Sequence, residues 1–129
     1  MNVELLRKVQ KHILEEPKRF DMSTFAEWVM GSKYAPTCGT TACIAGWAVF
    51  LGKNVTLSAE TVRMTWTNAL GFEDAARELL GINRLQAEKL FYSFEWPQPY
   101  RQRFDEARTF KGKAEAAADR IEHLIGTGQ

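Results

Sequence analysis

The chain has 129 residues, 45% hydrophobic and 26% charged, with a net charge of +1; this suits one globular domain that folds without needing a disulfide or metal. The near-neutral balance gives no general argument for nucleic acid or a membrane surface, and the charges running through "MNVELLRKVQKHILEEP" exclude a signal peptide or a spanning helix there. Two cysteines, Cys38 and Cys43, without an export signal point to free thiols in a reducing cytoplasm.

The first predicted element is a helix over 2–16, stopped by Pro17. Val3, Leu6, Val9, Gln10 and Ile13 form its inner stripe, with Leu5 and His12 at the edge. A short second helix follows "FDMS", with Ser23 as its cap and Phe25, Trp28 and Val29 turned inward. "GSKYAPTCG" is a loop dense in turn residues. A helix over 41–51 comes next, closed by Gly52. From 42 to 51 every residue is apolar or glycine, the pattern of a helix buried on all sides.

"TLSAETVRMTWTNALG" predicts a further helix from the cap Ser58 to Gly71, and "FEDAARELLG" a shorter one ended by Gly81. Asn83 with Gln86 three residues on is a capping-box pattern. Pro97 and Pro99 make "FEWPQPY" a rigid turn. Helices over 100–107 and 113–125 complete the chain, the last with Ala114, Ala117, Ala118, Ile121 and Ile125 as its apolar stripe. The expected fold is all-α, a single compact domain of six to eight short helices around the buried helix at 41–51.

Three chemistries are open. Gly39, Thr40 and Thr41 precede an apolar helix, where unpaired amides and the helix dipole favour an anion; the plainer reading is a cap. No lysine follows, which separates this turn from the phosphate loop of nucleotide hydrolases. A cysteine at such a position can act as a nucleophile, and C-G before a helix ending G-W-A is weakly similar to papain-like sites. His12 and His123 are the bases available, neither positioned by spacing. Cys43, inside the apolar run, suits packing better than chemistry. Metal is not expected, because the two cysteines are five residues apart and match no zinc pattern. Asp21, Glu73, Asp74, Asp105 and Glu106 fall at helix ends or polar faces, where acids serve the helix dipole. The run "RQRFDEARTFKGK" sets five basic residues against two acidic ones and interleaves Phe104 and Phe110. It reads either as a solvated face or as a surface for phosphates and rings.

Pro17, Phe20, Met22 and Trp28, then "CGTTACIAGWA" at 38–48, Ala76 with Leu80 and Gly81, Leu90 with Phe91, Trp96 and Pro97, and finally Ala117, Ala118, Arg120 and Ile121 form a pattern spread over most of the chain. In it the chain resembles a family of small bacterial and phage proteins marked by the CGTxACIAGWA motif. That resemblance implies a shared compact helical fold and carries over no catalytic residue.

The expected function is non-enzymatic binding of an anionic small molecule, such as a signal nucleotide, in a protein encoded by a phage or mobile element. Gly39, Thr40 and Thr41 would hold the anion, Trp47 or Trp96 would stack on the base, and Arg101 or Arg103 would take the phosphate. The alternatives are an adaptor or inhibitor that docks on a host protein through "FEWPQPY", and a cysteine-dependent hydrolase. No cofactor is expected.

Overall fold

The computed structural model describes residues 1–22, 26–27, 41–53 and 69–129, with positions 26–27, 41, 53 and 69–72 described by backbone alone. Among them run six α-helices: α1 Val3–Glu15, α2 Ile44–Lys53, α3 Ala69–Leu80, α4 Arg84–Phe91, α5 Tyr100–Glu106 and α6 Phe110–Thr127. The fold is all-α. Its extended segments are a two-residue antiparallel pair, β1 Ala26–Glu27 and β2 Thr41–Ala42, with Ala26 opposite Ala42 and Glu27 opposite Thr41.

Asn2 starts α1 and joins it to the end of α3. Its side-chain oxygen accepts from the Leu5 amide at 3.0 Å, its amide nitrogen donates to the Leu79 carbonyl at 3.2 Å, and its main-chain N–H donates to the Leu80 carbonyl at 2.6 Å. The buried face of α1 is Leu5, Leu6, Val9 and Ile13. Leu5, expected at the edge, is inside, and Val3, expected inside, is exposed. The reason is the number of neighbours: α2, α3 and α6 all pack on α1, so the face needed is displaced toward Leu5. Gln10 and Arg7 tie α1 to α6. Gln10 donates to the Ala118 carbonyl at 2.9 Å, and Arg7 pairs with Glu122.

The segment after Pro17 departs from expectation. A 3-10 turn, Pro17–Arg19, leads into Phe20, which bridges to Ala42, while the Asp21 amide donates to the Ala42 carbonyl at 3.1 Å. Ala26–Glu27 is extended, not helical, because its main chain pairs with β2. Ser23, Phe25, Trp28, Val29, the loop at 31–39 and Ser58 lie outside the described residues.

α2 begins at Ile44, later than the expected 41, since the main chain of Thr41 and Ala42 is already committed to β1 and Asp21. Cys43 is the last residue before it, and its carbonyl accepts the Trp47 N–H at 3.0 Å. Residues 42 through 50 are all buried. Gly52 lies within the helix instead of closing it. A Cβ there would come within 2.9 Å of Leu5 Cδ2 and 3.2 Å of Leu79 Cδ1, so its bare backbone lets α1 and α3 close on α2.

Gly71, expected to end a helix, is likewise inside α3. That helix ends at Gly81, whose φ of 62° is the left-handed conformation that costs other residues strain. The Gly81 amide reaches the Glu78 carbonyl and the Ile82 amide the Arg77 carbonyl, both at 3.2 Å, a Schellman closure. Asn83 and Gln86 form the expected capping box at α4. α6 starts three residues before the expected 113, because Thr109 accepts from the Gly112 amide and caps an earlier turn.

One buried cation shapes the C-terminal half. Arg120 is fully buried, and its Nη2 donates to the carbonyls of Lys89 at 3.0 Å and Gln129 at 2.7 Å. It thereby binds main-chain acceptors near the end of α4 and just beyond α6, where helix dipoles present negative charge. Its Nε and Nη1 have no hydrogen-bond partner.

Candidate ligand-binding site

The residues expected to hold an anion fare differently from one another. Gly39 and Thr40 lie outside the described residues, as does Cys38. The backbone of Thr41 is a strand that precedes α2 by two residues, so Thr41 is not the cap of that helix. Trp47 and Trp96 are both core residues, 1% and 3% exposed. Their indole N–H groups are satisfied by main chain: Trp47 donates to the Arg19 carbonyl at 3.0 Å and Trp96 to the Leu90 carbonyl at 2.9 Å. Neither ring presents a bare face to solvent on which a base can stack. Arg101 pairs with Asp105 at 3.9 Å, one turn along α5, and Arg103 with Asp119 at 2.7 Å.

Cys43 shows which of two effects dominates at the start of α2. Hydrogen bonds from the Gly46 and Ala45 backbone favour its thiolate, as at other helix N-termini. Burial opposes them and is larger, and the thiol is pushed up to about 11. At neutral pH Cys43 is a protonated, enclosed thiol.

His12 sits in the same region. Its ring lies 4.1 Å from that of Trp47, whose other neighbours include the Arg19 guanidinium, 5.3 Å from the ring centre, and Phe50 at 5.8 Å. The His12 Nε2 is buried without a hydrogen-bond partner. Burial first, and then Arg19, hold this imidazole below its ordinary value, opposed by Glu16 and Glu15. His123 packs against Tyr100, ring centres 5.3 Å apart, and is half-buried.

A different set of residues does converge. A cavity of about 370 Å³ is lined by Phe20, Asp21 and Met22 on one side and by Ser93, Phe104, Phe110 and Lys113 on the other. The first wall is held in place by Ala42, through the Phe20 bridge and the Asp21 amide. The second comes from the turn after α4, from α5 and from the first turns of α6. Trp96 braces it, meeting Phe104 edge-on with ring centres 5.1 Å apart. Lys113 donates to the Phe104 carbonyl at 3.0 Å, and its ammonium lies 4.3 Å from the centre of the Phe104 ring. Phe110 opens α6 and is 57% exposed, a large ring left half in water. The positive end of the α6 dipole lies at this wall.

The interleaving of Phe104 and Phe110 with basic residues was the sequence signal for this half of the cavity. Arg101 and Arg103 do not line this cavity and are engaged in ion pairs, while the Lys113 ammonium lies over the Phe104 ring. Phe20 and Met22 stand over 80 positions away, and nothing in local spacing pairs them with Phe104 and Phe110. A second cleft, of about 310 Å³, is lined by Glu73, Asp74, Arg77 and Arg84; the charges of these described residues balance, and Asp74 pairs with Arg77 at 3.5 Å. Among the described residues no group of three or more His, Cys, Asp or Glu side chains is placed to hold a metal ion, and no helix is long and apolar enough to cross a membrane. Comparison of the chain with protein-family models, with curated proteins and with solved structures gives no match.

Proposed function

We propose that this chain is a non-enzymatic binding protein for a small anionic molecule with a flat ring, received in the cavity between Phe20 and the Phe104–Phe110 pair. The observation that carries the reading is the joining of three phenylalanine rings with the anchored ammonium of Lys113 in one cavity. Small-molecule sites are mostly apolar, contain a few fixed polar groups and span roughly 300–1,000 Å³. This cavity has that composition and a size at the lower end of the range. Cys43 itself is a poor candidate nucleophile, since its thiol is buried and protonated.

A nucleotide belongs to the proposed ligand class. In a phage or mobile element such a protein would act by sequestering a host signal molecule. The test is a thermal-shift screen of mono-, di- and cyclic nucleotides and of aromatic acids against the wild type and Phe110→Ala. Phe110 is exposed enough for its removal to leave the fold intact. Ligands that raise the melting temperature of the wild type and not of Phe110→Ala support the reading. A screen without such a ligand, alongside a host protein captured by the wild type and lost on Phe94→Ala, would favour the interaction-protein reading, for Phe94 is 60% exposed beside Ser93.

A further inference from the structure

Resting on that binding reading, we infer that Trp96 is the positioning residue of the cavity: it holds Ser93 and Phe104 in place from behind the lining. The wall hangs on the end of α4. Lys89 and Leu90 lie in the last turn of that helix, where carbonyls have no partner within the helix. Arg120 takes the Lys89 carbonyl at 3.0 Å, and the Trp96 indole N–H takes the Leu90 carbonyl at 2.9 Å. The main-chain N–H of Trp96 donates to the Ser93 carbonyl at 3.2 Å, closing the 3-10 turn Ser93–Glu95. One residue therefore ties the turn that carries Ser93 both to itself and to α4. Pro97 confines the backbone of Trp96 to the extended region, and it lies there, with φ −66° and ψ 139°.

The ring supplies a third grip. The buried indole meets Phe104 edge-on, with ring centres 5.1 Å apart. Ser93 belongs to the turn after α4 and Phe104 to α5, so two separate parts of the wall share one support. A wall fixed in advance spares a ligand the cost of ordering it, and affinity rises by that saving. Removing the indole N–H leaves the buried Leu90 carbonyl without a donor. Arg120 still holds the neighbouring carbonyl, so the disturbance falls on the Ser93 turn more than on α4.

The experiment is calorimetric titration of the full chain with 8-anilinonaphthalene-1-sulfonate, an aromatic anion of the proposed class. Phe110→Ala reports whether the probe occupies the cavity. Trp96→Phe keeps a ring for Phe104 and loses the donor, whereas Trp96→Leu loses both. Affinity is expected to fall about threefold or more in Trp96→Phe and about tenfold or more in Trp96→Leu. Val9→Ala, a core substitution on α1 outside the cavity lining, should lower the melting temperature and leave affinity within about twofold. Cooperative thermal melts establish that each variant is folded, and Trp96→Phe decides the matter should Trp96→Leu not fold. If the probe depends on Phe110 and Trp96→Phe binds it like the wild type, or Val9→Ala weakens it as much, the positioning inference is wrong and the cavity reading stands. If the wild type does not bind the probe in a way that Phe110→Ala weakens, the inference fails; a Phe110-dependent ligand from the wider screen would still leave the cavity reading in place.

Discussion

Trp47 and Trp96 occupy corners of the molecule that are alike on paper. Each indole is buried, each donates its N–H to a main-chain carbonyl, and each corner contains an aromatic ring with a cation close to it. They differ in what surrounds the pair. At Trp47 the cation faces the indole itself, and among the described residues the ring contacts are His12 and Phe50. At Trp96 the cation sits on a second ring, Phe104, which has the indole on one side and a cavity on another. The same ring–cation contact thus serves as packing in one corner and as the wall of a cavity in the other. A tryptophan beside basic residues does not reveal which of these it will be.

The largest expected effect tests the packed corner. Trp47→Ala should cost about 3–5 kcal/mol, the usual range for emptying a buried aromatic site, and be read by urea denaturation. A loss under about 1 kcal/mol would mean that this corner, too, has room to spare. Cys43→Ala, one turn from Trp47, should cost about 1 kcal/mol, since it deletes a single buried atom. In a Cys38→Ser background the native Cys43 thiol should react with an aromatic disulfide reagent only as fast as the protein opens, and unfolding in urea should restore ordinary reactivity.

Acidification should then separate the corners more gently. His12 has its folded-state value below the unfolded value of about 6.5, so the unfolded chain takes up the proton first. Stability is therefore full above that pH and declines as pH falls below it, levelling off once folded His12 is also protonated. Glu122 is held low by hydrogen bonds from Arg7 and then Gln10, so its contribution is present above the unfolded value of 4.5 and is lost as pH falls through its folded value. Melting temperatures across pH 3–8 should show both declines. His12→Leu should remove the upper one and keep the lower. The smallest effect belongs to the open corner: Phe110→Ala should change stability by about 0.5 kcal/mol or less while removing ligand binding, a separation unavailable at Trp47.

How far these corners could be read from sequence depends on the range of the forces involved. Asn2, the Asn83–Gln86 box and Gly81 act within a few residues, and each does in the structure what its local chemistry dictates. Gly52 and Gly71 obeyed the same local rule less well: both lie inside helices, Gly52 where α1 and α3 close on its bare backbone. The start of α2 shifted for a related reason: Thr41 and Ala42 have a strand partner at 26–27 that no periodicity reveals. Arg120, outside the apolar stripe expected of the last helix, gave no sign that it would be buried. Its acceptors are supplied by Lys89 and Gln129, from separate parts of the fold. The candidate site was the least legible, since it joins residues 20–22 to residues 93–113 and depends on which cations are already neutralised.

The bonds from Arg7 and Gln10 to α6 have a consequence for the protein's synthesis. Arg7 precedes Glu122 by 115 positions. At ribosomal rates of about 5–20 residues per second, their contact waits roughly 6–23 s after Arg7 has been made. During that interval α1 can settle on α2 and then α3, but the side it turns to α6 stays wet, and the Gln10 amide must be satisfied by water. The nascent chain is thus held open along one edge of its first helix until its last helix has left the exit tunnel.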